Sequence, residues 1–79
     1  MEKQIIFIED QFITLGQLLK LTNQFQSGGE IKHFLQTIGV KVNGEVENRR
    51  GRKLYDEDVV SFDGKAYIVV SKQQELEEM

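Results

Sequence analysis

Residues Ser27 to Leu54 read SGGEIKHFLQTIGVKVNGEVENRRGRKL, and this stretch decides the fold. Ser27 suits a helix N-cap, and Glu30 falls three residues on, the spacing of a capping box. Ile31, Phe34, Leu35 and Ile38 recur at i, i+3, i+4 and i+7, which puts them on one apolar helix face. Gly39 ends that helix, because glycine takes a left-handed conformation without steric cost. Val40 and Val42 then alternate with polar residues, and Asn43-Gly44 is a two-residue hairpin signal. Val46 continues the far arm. Asn48 to Lys53 is polar and basic and contains Gly51, so a loop or irregular strand is expected.

Toward the N-terminus, Thr14 and Gln17 form a second capping box, with Ile13 and Leu18 placed for a hydrophobic staple. Leu15, Leu18 and Leu19 follow helical spacing, so a helix is expected from about Leu15 to Asn23. Lys3 to Ile8 is apolar and β-branched and predicts a short buried strand. Glu9 to Gln11 is a polar turn. Toward the C-terminus, Tyr55 to Asp58 reads as an acidic turn. Val59 to Phe62, Asp63-Gly64 and Ala66 to Val70 predict a second hairpin, whose last strand could leave a free edge. Residues 73–79 are acidic and expected to fray.

The expected order is β-α-α-β-β-β-β. Two short helices pack on a small, mostly antiparallel sheet, an α+β class. Residues 1–72 make one domain.

Composition narrows the function. In a chain of 79 residues, most core positions are needed for stability, which leaves little room for an enclosed active site. No cysteine is present, so disulfides, thiolate metal sites and cysteine nucleophiles are excluded. The early apolar run, Ile5 to Ile8, is far short of the ~20 residues a membrane helix needs. A cytoplasmic location is expected.

Net charge is −3, which argues against a polyanionic partner until its distribution is read. Lys41 to Lys53 holds five basic and two acidic groups, a local +3. The other 66 residues hold five basic and eleven acidic groups, or −6. Binding follows the local field, so a basic patch on an acidic body is a phosphate footprint.

The capped helix ending at Gly39, the GVKVNG segment and the Arg-Arg-Gly-Arg-Lys run together resemble the alpha-L RNA-binding module of the ribosomal-protein-S-four superfamily. The likeness spans about residues 14–62. The Ser-Gly-Gly helix start and the basic run resemble its small stand-alone bacterial members, the YaaA/YbcJ type. The resemblance implies a non-catalytic protein that recognises structured RNA, ribosomal RNA or a ribosome-assembly intermediate, through the second helix and the following hairpin. Two departures stand out. Gly28-Gly29 replaces a common Ser-Arg pair, with Lys32 one turn later as a substitute cation, and Glu57-Asp58 replaces Gly-Asp.

The expected RNA contacts are Lys32, Lys41, Asn43, Arg49, Arg50, Arg52 and Lys53. Clustered cations attract phosphates, and arginine can bind them through paired N–H groups. A secondary set is Ser27, Gly28, Gly29, His33 and Tyr55. The two glycines could bare N–H groups at a helix start, although taken alone they read better as a plain turn before the helix. His33 and Tyr55 could stack on bases. Phe62 is expected in the core. Replacing Arg49, Arg50 and Arg52 together is expected to weaken binding and spare folding.

Other classes find less support. One histidine and no cysteine argue against a metal site, and Asp56, Glu57 and Asp58 lack calcium-loop spacing. No nucleophile-base pair can be picked out, and neither a cofactor nor a small-molecule substrate is implied. A ubiquitin-like sulfur carrier needs a C-terminal Gly-Gly, whereas the sequence reads Leu76-Glu77-Glu78-Met79 there. The alternative is a protein-interaction module docking a ribosomal or other basic protein through its acidic surface. A monomer is expected.

Overall fold

The computed structural model describes residues 2–72. The acidic segment 73–79 lies outside the described residues. Seven strands and two helices follow in the order β1 (Glu2–Ile8), β2 (Phe12–Thr14), α1 (Leu15–Leu21), α2 (Gly28–Thr37), β3 (Val40–Val42), β4 (Glu45–Glu47), β5 (Lys53–Tyr55), β6 (Val59–Phe62) and β7 (Lys65–Ser71). The class is α+β, and the expected order holds with two strands added, β2 and β5.

The main sheet runs β1-β7-β6-β3-β4, and a second, two-stranded sheet pairs β2 with β5. All main-sheet pairs are antiparallel except β1 with β7. Both predicted hairpins form. At the first, Asn43 and Gly44 take φ of 52° and 88°, the left-handed pair that a type I′ turn needs.

Both helices start where the capping signals lie. In α1 the Thr14 hydroxyl accepts from the Gln17 N–H, and the Gln17 side chain accepts from the Thr14 N–H, a complete box. In α2 the Ser27 hydroxyl accepts from the Glu30 N–H, but the Glu30 carboxylate reaches past the cap to the Gln26 N–H. Helix α1 stops at Leu21, short of the expected Asn23. The Thr22 hydroxyl caps the Leu19 carbonyl, and Asn23 turns left-handed at φ 60°. The two helices cover one face of the sheet. Leu15, Leu18, Leu19, Ile31 and Leu35 meet Val40, Val42, Val60, Tyr67 and Val69 in one core. Phe62 packs at its margin, its ring stacked on Tyr67 at 5.6 Å.

Two expectations need correction. Strand β1 is not buried: it lies at the sheet edge, with Ile5 54% and Phe7 61% exposed. The last strand does not supply the free edge, because β7 sits between β1 and β6. The parallel β1–β7 pairing puts the first strand outside the last.

Candidate nucleic-acid interface

The basic segment departs from strand β4, whose last residue organises it. Glu47 faces the helix side of the sheet, opposite buried Val40, and its side chain is only 9% exposed. Its carboxylate accepts from the N–H groups of Asn48 and Arg49, both at 3.0 Å. It also accepts from Arg49 Nε and Nη2 at 3.1 Å and from Arg52 Nη1 at 2.8 Å. Such charge-assisted bonds favour the ionised acid. The Arg49 side chain, then its backbone N–H, then Arg52 hold the Glu47 carboxyl well below the usual carboxylate range.

The loop is fastened at two further points. The Asn48 side-chain amide donates to the Leu35 carbonyl at 2.6 Å, satisfying the end of α2. The carbonyls of Arg52 and Arg50 accept from the first two N–H groups of α1, Leu15 at 2.8 Å and Gly16 at 2.9 Å. The helix start therefore spends its unpaired donors on the basic loop. Gly16 is required by this approach, since a Cβ there would collide with the Arg50 side-chain stem and press on its carbonyl. Gly39, at φ 81°, is likewise needed where the chain turns beneath Glu47 and Asn48.

A groove of about 430 Å³ opens between the starts of both helices and this loop, lined by Thr14, Gly16, Gln17, Lys20, Gly28, Ile31, Arg50 and Gly51. Arg50 and Lys20 bring two cations to it. Neither is in an ion pair among the described residues. Gly28 and Gly29 open α2 with room for a Cβ at each, so packing does not call for glycine at either position.

The structure divides the other expected contacts. Arg49 and Arg52 adjoin Arg50 and Gly51 in the loop without lining the groove, and they share Glu47, with side chains 76% and 35% exposed. Lys53 sits 4.8 Å over the Phe12 ring, which in turn lies 6.0 Å from the exposed Tyr55. This exposed cation–aromatic cluster belongs to the small β2–β5 sheet. Lys32 and His33 are exposed on α2. Ser27 is engaged as the α2 cap. Lys41 points from the face of β3 away from the helices, opposite exposed Val46, and so stands apart from the groove. The Asn43 amide donates to Asp58 at 3.0 Å and its oxygen accepts from the Val59 N–H at 2.9 Å. Sequence reasoning missed Lys20, Gln17 and Phe12. Only Lys20 carried a signal, as an exposed cation on a helix adjoining the predicted site.

The fold and this arrangement define a class: a small α+β module presenting a basic loop beside a helix pair. The S4 domain family matches residues 6–70, and the chain belongs to it. The chain is also similar to a Bacillus subtilis (strain 168) protein named "Probable ribosome maturation protein RlbA". The two are 56% identical over 59 residues, which cover 75% of this chain and 83% of that one.

Proposed function

We propose that the protein binds structured RNA, without catalysis, through the groove between the helix starts and the basic loop, in a ribosome-related role. The observation that carries the proposal is the state of Arg50. Its stem lies on Gly16, its carbonyl anchors α1, and its guanidinium is the loop arginine without a carboxylate partner among the described residues. Arg49 and Arg52, fixed on Glu47, present their remaining N–H groups in set positions. That preorganisation lowers the entropy lost when a phosphate is bound. Lys20 extends the cationic lining across the groove. The absent side chains at Gly28 and Gly29 let a backbone come close. Family membership and the name of the Bacillus relative support the RNA and ribosome parts of this reading.

No helix among the described residues is long and apolar enough to cross a membrane. The groove offers positioned donors and cations, which suits phosphate and ribose contact rather than bond making. The Lys53–Phe12–Tyr55 cluster is placed to add stacking on an unpaired base.

The test is filter or fluorescence binding of a structured ribosomal RNA fragment to wild type and Arg50→Glu. The variant should fold normally and lose about tenfold or more in affinity, since it replaces a phosphate contact with a repulsion. Unchanged affinity would move the site elsewhere.

A further inference from the structure

The sequence favours a monomer, but the edge of the main sheet points to a second copy of this chain. We infer that β1 pairs antiparallel with β1 of another molecule, about a two-fold axis at Ile6, to make a reversible dimer with a continuous sheet. The argument starts from which backbone groups are free. The Glu2 N–H donates to Gly64 at the β7 side. Backbone groups alternate sides along a strand, so the even residues face β7 and Lys3, Ile5 and Phe7 face the open edge. Antiparallel partners that bond each other must both belong to this odd set. That restricts the two-fold axis to a residue, never between residues.

Side chains then select the register. The odd residues also point to the outer sheet face, where Ile5 and Phe7 are exposed while Ile8 is buried on the other side. An axis at Ile6 sets Ile5 opposite Phe7 of the second copy, with Lys3 facing the chain beyond the strand end at Ile8. Both symmetric outer-face pairs within the strand are then apolar. An axis at Ile5 would put Lys3 against Phe7, and one at Phe7 would carry Ile5 past the strand end at Ile8. The even position Glu2 would face Asp10, but there the chain has already left the strand, its Asp10 carbonyl held by the Ser71 hydroxyl at 2.8 Å.

The opposite edge of the sheet does not invite the same pairing. Strand β4 is three residues long and two of them are glutamates. Strand β1 is seven residues long, and its Ile5–Ile8 half carries neither charge nor proline, the usual guards of an edge. Ile68 and Val70 of β7 stand beside Ile5 and Phe7 in register, so the apolar strip continues inward from the edge. Because β1 and β4 are opposite edges, the basic loops would lie at the two ends of the joined sheet, roughly 40 Å apart at ordinary strand spacing.

The test is analytical ultracentrifugation of the full chain from micromolar to millimolar concentration. Wild type should show a concentration-dependent dimer. Phe7→Glu should weaken it by roughly tenfold or more, as it is lost from two symmetric apolar pairs. Ile5→Glu should weaken it likewise, since Ile5 faces Phe7 in the same two pairs. A wild-type chain that stays monomeric throughout would overturn the inference. So would a dimer that ignores Phe7→Glu or Ile5→Glu.

Discussion

Two charged segments flank strand β5, and they spend their charge differently. In the acidic turn after it, two of the three carboxylates are consumed by the fold, and Glu57 is left exposed. Asp56 accepts from the Ser71 N–H at 2.8 Å. Asp58 accepts from the Tyr55 N–H at 2.8 Å and from the Asn43 amide at 3.0 Å, which ties the first hairpin turn to the second hairpin. In the basic loop before it, a single buried carboxylate and two backbone carbonyls hold the chain, and the guanidinium of Arg50 is left over. A charge run marks a site only by what remains once internal bonds have been made.

The largest effect should come from Glu47→Ala. It leaves Arg52 without its partner and releases the loop from β4, so unfolding free energy should fall by about 2 kcal/mol, the cost of several lost hydrogen bonds whose donors stay partly exposed, read by urea denaturation. RNA affinity should fall with it, although an acid has been removed from the path of a polyanion. This overturns the expectation that Arg49, Arg50 and Arg52 can be replaced together without harm to folding: two of the three satisfy a buried carboxylate. Increased affinity in Glu47→Ala would show the loop needs no such frame.

Asp58→Ala is the matching change in the acidic turn. It should cost about 1 kcal/mol, the net worth of partly exposed hydrogen bonds. RNA affinity, measured where the variant is folded, should not change. A clear change would extend the binding surface across β5.

Acid should separate the two segments in a smaller way. The folded Glu47 carboxyl titrates below its ordinary value of 4.5. The stability it supplies is complete above that value and is lost as pH falls through the lowered one. The gap in stability between wild type and Glu47→Gln should therefore narrow as pH is lowered below the ordinary value, in denaturation curves taken at a series of pH values. A constant gap would mean that packing, not charge, gives Glu47 its role.

Much of this frame was legible in the residues. Capping pairs placed both helix starts, and Asn43-Gly44 and Asp63-Gly64 placed both hairpins, because each rests on chemistry within four residues. Strands β2 and β5 were not legible, since three residues are too few to show alternation, and Phe12 to Thr14 also carries the signals of a helix start. Ile5 to Ile8 looked buried because an unbroken apolar run is the mark of a covered strand. Whether a sheet face is covered depends on chain order, which no local pattern contains. In the site, the basic run was visible and its division was not. Glu47 looked like a charge subtracted from the patch, whereas its burial makes it the support of two arginines. Gly16 gave no sign of its use, as the loop that crosses it lies more than thirty residues on.

The most direct measurement is the affinity of Arg50→Ala for a structured ribosomal RNA fragment across a salt series, beside wild type, with thermal unfolding of both. The account predicts unchanged stability, an affinity lower by about 1–2 kcal/mol, and a log–log salt slope reduced by about 1, the signature of one lost phosphate contact. A folded Arg50→Ala with wild-type affinity and slope would contradict it.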